Sequence, residues 1–160
     1  MSDALAKVRF LIVDDHLHLI NIVRAVLRGL GATQVFDART PEAAFEHLRN
    51  DSIDIVLLDY MLGDQDGVEF LRRLRTDPKS PAPFVPVIML TAHTEKRRVE
   101  AARDAGANAF CTKPVTPADL LKKVALVIER PQPFVRSADY VGPDRRRRDS
   151  PPREPERRKP

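Results

Sequence analysis

Five short, mostly apolar runs recur along the first 130 residues, and each is followed by a segment whose apolar residues have helical spacing. The runs lie at 9–13, 34–36, 53–58, 87–90 and 109–112. Apolar runs this short suit strands buried on both faces of a parallel sheet. The first intervening segment, 17–30, repeats apolar residues at Leu19, Ile22, Val23, Val26, Leu27 and Leu30, one face of a helix. The second opens with Thr40 before Pro41, a favoured helix start, and packs Ala43, Ala44, Phe45 and Leu48. Further helices are predicted over 67–75, 94–106 and 117–129, the last with Leu120, Leu121, Val124, Ala125 and Ile128 inward. Alternation of this regularity predicts an α/β fold, a parallel sheet covered by helices on both faces.

Charge divides the chain at the same place. Residues 1–130 carry 18 basic and 18 acidic side chains, whereas residues 131–160 carry nine and five. The formal excess of +4 therefore belongs to the last segment, which also holds seven of the 14 prolines. With few apolar residues, that segment reads as a disordered extension rather than a second core. Its four arginines, Arg145, Arg146, Arg147 and Arg148, could meet phosphates of nucleic acid or an anionic surface. No aromatic residue interleaves them, which argues against a base-stacking role. Phe134, Val135, Tyr140 and Val141 precede them as two apolar pairs, a pattern that suits docking on protein. One cysteine, Cys111, cannot form an internal disulfide and fits a cytoplasmic setting. No stretch approaches the roughly 18 apolar residues of a membrane span, and the N-terminus lacks a secretory pattern, so membrane insertion is not expected.

Chemistry-bearing residues sit where the strands end. Asp14 and Asp15 follow the first run, Asp59 the third, Thr91 the fourth and Lys113 the fifth. Ligands of open α/β sheets collect outside the carboxyl ends of the strands, so these distant residues converge. Crowded carboxylates raise one another's pKa, and a hard divalent cation such as Mg²⁺ relieves them. One carboxylate then remains as a nucleophile toward phosphorus, with the Lys113 ammonium and the Thr91 hydroxyl as phosphate-oxygen partners. Singly, each residue is better explained as a helix cap or a solvated side chain; jointly and in this order they describe a phosphorylation site.

VDD at 13–15, DYMLGDQDG at 59–67, LTA at 90–92 and the Lys113-Pro114 pair together resemble the receiver domain of two-component response regulators. The resemblance spans about residues 7–130. It implies a flavodoxin-like (βα)5 three-layer sandwich with strand order 2-1-3-4-5, a receiver domain over 1–130 and a tail over 131–160. It also implies that Asp59 accepts a phosphoryl group from a histidine kinase or histidine phosphotransferase. Asp14, Asp15, Asp59 and the Met61 main-chain carbonyl would bind Mg²⁺. Thr91 and Phe110 would form the switch, and the Lys113–Pro114 peptide would be cis.

The output surface implied is the face of the fourth helix, fifth strand and fifth helix, here with Lys96, Arg97, Arg98, Phe110, Lys122 and Lys123. Gly63 stands where many receivers have proline, and Met61 and His93 occupy positions that tune phosphoryl lifetime. The reading is of a single-domain switch that binds a downstream protein, with slow self-dephosphorylation rather than turnover; phosphorylation-dependent dimerisation stays open. The alternative is a phosphorylation-gated nucleic-acid binder working through the arginine run. An aspartyl phosphatase of the haloacid dehalogenase type wants a second Asp two residues after the nucleophile, where this chain has Met61. No GxxxxGK[ST] loop is present for a nucleotide.

Overall fold

The computed structural model describes residues 5–92, 96–129, 133–136 and 140–144. Five parallel strands form the central sheet: β1 (Arg9–Val13), β2 (Gln34–Ala38), β3 (Ile55–Asp59), β4 (Val87–Thr91) and β5 (Ala109–Thr112). Their order is β2-β1-β3-β4-β5. Helices α1 (Leu17–Gly29), α2 (Pro41–Asn50), α3 (Gly67–Thr76), α4 (Lys96–Ala105) and α5 (Pro117–Glu129) alternate with them. This is the flavodoxin-like arrangement, and it fixes the site because the order reverses between β1 and β3.

Strand periodicity divides the core. Leu11, Val13, Val56, Leu58, Val87 and Met89 point to the face covered by α2, α3 and α4. Their neighbours Phe10, Ile12, Ile55, Leu57, Ile88 and Leu90 point to the face covered by α1 and α5. Every residue of β3 and of β4 is buried, which explains their near-continuous apolar composition. Local signals set the helix starts. Thr40 Oγ1 accepts from Ala43 N at 3.1 Å and Asp66 Oδ1 from Val68 N at 2.9 Å, each satisfying an otherwise unpaired first-turn amide.

Two helix faces differ from their sequence reading. In α1 the buried residues are Ile20, Val23 and Leu27, while Ile22 is exposed. In α5 they are Leu120, Val124 and Val127, while Ile128 is exposed. Both helices carry more apolar residues than one narrow stripe holds, so composition alone could not choose the stripe that meets the sheet. Strand β2 continues to Ala38, two residues past its apolar run, because Asp37 finds a partner: Arg24 Nη2 lies 2.5 Å from its Oδ1.

The segment after α5, read as largely disordered with two apolar pairs suited to docking, contains a hairpin among its described residues. Strands β6 (Phe134–Arg136) and β7 (Val141–Pro143) pair antiparallel. The hairpin packs beside the end of α3, the loop before β4 and the turn before β5. Phe134 stacks edge-on against Phe84 with ring centroids 5.3 Å apart, and the Arg75 guanidinium lies 4.7 Å from the Phe134 centroid. Tyr140 OH donates to the Pro143 carbonyl at 2.7 Å. Few apolar residues suffice here because the body supplies most of the buried surface. The arginines at 145–148 lie outside the described residues, as do His93 and the side chains of Lys96 and Arg97.

Gly142 lies against Gly106, the turn residue after α4 (φ 107°), so tightly that a Cβ would come within 2.8 Å of the Gly106 Cα. Substituting Gly142→Ala is therefore expected to lift the hairpin. Backbone hydrogen exchange over 133–144 should speed up by an order of magnitude or more while that of β3 and β4 stays slow. Unchanged protection of the hairpin would contradict this packing.

Candidate functional site

The carboxyl ends of β1, β3, β4 and β5 bring Asp14, Asp59, Thr91 and Lys113 together. Asp14, Asp59 and Thr91 are 1%, 3% and 4% exposed, whereas Asp15 is half-buried. Backbone bonds between strand ends hold this rim: Asp14 N to Ala38 O at 3.1 Å, Tyr60 N to Leu90 O at 2.9 Å and Lys113 N to Thr91 O at 2.8 Å. The last of these turns the chain so that Lys113 reaches back over the sheet. Its Nζ lies 2.5 Å from Asp59 Oδ1. The Lys113–Pro114 peptide is cis.

Asp14, Asp15, His16 and Asp59 each offer a donor atom, all within 4.8 Å of one another. Asp14 Oδ1 accepts the His16 backbone N–H at 3.0 Å. Among the described residues, one buried side-chain polar atom lacks a hydrogen-bond partner, and it is Asp15 Oδ1. An unsatisfied buried carboxylate oxygen beside two other carboxylates is the donor set that suits a divalent cation. The acidic cluster is compatible with the Mg²⁺ site of receiver domains.

Burial pushes the Asp59 carboxyl above the ordinary carboxylate range; its hydrogen bond to Lys113 opposes the shift and the charge of Asp14 adds to it. The sign of the stability effect follows. A folded-state pKa above the unfolded one means that unfolding releases this proton more readily. Stability is then lost as pH rises from the ordinary range through the folded pKa. Asp59→Asn should accordingly raise the Tm of the metal-free protein by on the order of a few degrees at neutral pH. That gain should vanish below the ordinary carboxylate range; a gain equal at both pH values would contradict the assignment.

The loop after β3 closes the site. Met61–Leu62 and Gln65–Asp66 pair as a minimal antiparallel ladder, and Gly67 N donates to Tyr60 O at 2.7 Å. A Cβ at Gly67 would sit 2.3 Å from Asp59 O, so only glycine lets α3 begin this close to Asp59. Gly63 takes a left-handed turn (φ 60°), and a Cβ there would approach Asp15 Oδ2 to 3.1 Å. A side chain at position 63 would therefore crowd Asp15 as well as strain the left-handed turn.

Phe110 is half-buried on β5, packed against the core on the α2–α3–α4 face. Arg98, read in sequence as a surface charge, stacks over the Tyr60 ring at 5.0 Å and links α4 to the residue after Asp59. Lys122 is exposed on α5, and Lys123 Nζ pairs with Asp119 at 3.0 Å. His16 was absent from the sequence reading of the site. Its position directly after Asp14 and Asp15 is the signal that could have found it.

The sequence matches the response regulator receiver domain over residues 10–125. It is 31% identical over 124 residues to the chemotaxis protein CheY-3 of Vibrio cholerae, covering 78% of this chain and 94% of that protein. The chemotaxis protein CheY of Pseudomonas aeruginosa is 30% identical, with 76% and 97% covered. Among solved structures, Vibrio cholerae CheY4 superposes with a TM-score of 0.68 at 27% identity, covering 75% of this chain and 98% of that one. A CheY-like receiver domain protein of Methanospirillum hungatei gives 0.66 at 29% identity, with 76% and 94% covered. The chain belongs to the response regulator receiver domain family of two-component signalling.

Proposed function

We propose that this chain is a phosphorylation-controlled binding switch in which Asp59 is the phosphoryl acceptor. The observation that carries the reading is the pairing of Lys113 with Asp59, 2.5 Å apart, beside a partly buried acidic cluster at the strand ends. The donor is a phosphohistidine on a kinase or phosphotransferase. An Asp59 oxygen attacks phosphorus, the P–N bond of the donor breaks, and the imidazole leaves. Asp14, Asp15, Asp59 and the Met61 carbonyl would hold Mg²⁺, which would supply charge neutralisation for the transferring group. Lys113 gives up its contact with the Asp59 carboxylate and grips a phosphoryl oxygen, and the Thr91 hydroxyl donates to another.

Phosphorylation then acts as a population shift. Thr91 and Phe110 move toward the arrangement a downstream protein prefers, altering the face of α4, β5 and α5. The modified carboxylate hydrolyses slowly, so the chain is a switch and not a turnover enzyme. No helix among the described residues is long and apolar enough to cross a membrane. The proposed cytoplasmic setting rests instead on the kinase donor.

Phosphotransfer from a labelled histidine kinase tests the reading: label should pass to the wild-type chain and not to Asp59→Asn. Transfer to Asp59→Asn at the wild-type rate would refute it. Lys113→Ala is expected to accept phosphoryl at least tenfold more slowly and to leave the α4–β5–α5 amide resonances unshifted once modified. Full resonance shifts in Lys113→Ala would contradict its role in coupling.

A further inference from the structure

We propose that His16 adds an imidazole ligand to the acidic site, so that the site favours borderline transition dications such as Co²⁺ or Ni²⁺ over Mg²⁺ more than an all-oxygen site would. The inference rests on the reading of Asp14, Asp15 and Asp59 as a divalent-cation site.

Its geometry comes from His16 itself. Nδ1 lies 3.1 Å from Asp15 Oδ1 and 3.4 Å from Asp14 Oδ1. Two ligands each about 2.1 Å from one ion are about 3.0 Å apart at a right angle and about 3.4 Å apart at a tetrahedral angle. The two separations, those of an ion pair when the ring is protonated, also match ligand-shell edges. Opposite ligands would be about 4.2 Å apart, so donors spread over 4.8 Å close around an ion with sub-ångström movement.

A second observation concerns the hydrogen bonding of Asp15, itself one of the three carboxylates. Asp15 Oδ1 is buried and makes no hydrogen bond, although Nδ1 stands only 3.1 Å away. The contact is an ion pair when the ring is protonated, whereas a neutral ring can present Nδ1 beside Oδ1 as two lone-pair donors to a cation. His16 also occupies the position before α1 where a side chain commonly caps the first turn, yet its ring makes no capping bond. The ring is 62% exposed and its nitrogen faces the carboxylates. Imidazole suits Co²⁺, Ni²⁺ and Zn²⁺, whereas Mg²⁺ prefers oxygen and water.

Calorimetric titration of the full, chelator-treated chain with Mg²⁺ and with Co²⁺ gives the ratio of the two affinities. His16→Ala should lower the Co²⁺-to-Mg²⁺ ratio at least tenfold while Mg²⁺ affinity changes by less than about threefold. Pulsed electron resonance of bound Mn²⁺ should show ¹⁴N coupling in wild type and none in His16→Ala. An unchanged ratio together with no ¹⁴N coupling in wild type would overturn the proposal and leave His16 as an ion-pair partner of the carboxylates. An equal fall in His18→Ala would overturn it by assigning the nitrogen to the neighbouring turn. Loss of Mg²⁺ binding in Asp15→Asn supports the underlying acidic site separately. Undiminished Mg²⁺ binding in that variant would sink the site and the proposal with it.

Discussion

Replacing Arg75 with methionine is expected to cost about 3–5 kcal/mol of stability, the largest single-residue loss in this chain. Arg75 is 1% exposed at the end of α3. Its Nε and Nη2 donate to Gly106 O at 3.1 and 2.8 Å, and Nη1 donates to Pro83 O and Val85 O at 2.9 and 2.6 Å. Nη2 also reaches Asn108 Oδ1 at 3.0 Å. Burial draws the guanidinium pKa down to about 9, which leaves it charged at neutral pH. Methionine fills much of the volume but abandons three carbonyls, those of Gly106 and Val85 in buried bonds and that of Pro83 in a partly buried one. Orphaned acceptors cost more than lost bonds. Lysine would fare little better, because an ammonium cannot span the fork that reaches both the loop before β4 and the turn before β5. Urea denaturation checks this. A loss below about 1 kcal/mol would mean that water or a rearranged loop replaces the guanidinium.

Arg75 also shows where sequence reading stops. Position 75 reads as the polar end of a helix, and nothing nearby marks a buried cation. Its acceptors are main-chain carbonyls, which carry no signature in the sequence. The C-terminal hairpin was legible only as two apolar pairs suited to docking, for a related reason. Phe134, Tyr140 and Val141 are too few to imply a core alone, and they pack only because the body presents Phe84, Arg75 and Gly106. By contrast, β1, β3 and β4 were legible because strands buried on both faces must be apolar throughout. Asp14, Asp59, Thr91 and Lys113 stood out because each follows such a run. The strand order came from family resemblance, since periodicity does not order strands. Edge strand β2 was cut short at Phe36 because Asp37 breaks its apolar run.

Asp59→Asn is expected to abolish phosphoryl incorporation, a loss larger than any shift in rate from the surrounding residues. The amide matches the carboxylate in shape but is a far weaker nucleophile, and it withdraws one of the charges that would hold a cation. Asp14 and Asp15 do not substitute readily. Asp14 Oδ1 is engaged by the His16 backbone N–H, and the Lys113 ammonium is paired with Asp59. The same substitution should leave the fold intact, since removal of a buried charge relieves the site. Loss of incorporation in a well-folded variant therefore reports chemistry rather than unfolding.

The most direct test is intact-mass measurement after incubation with acetyl phosphate and Mg²⁺, with rapid quench, on wild type, on Asp59→Asn and on wild type with EDTA. A gain of one phosphoryl group in wild type alone, mapped to Asp59, is the result the account predicts. No adduct on quenched wild type, or an adduct that persists in Asp59→Asn or in EDTA, would contradict it.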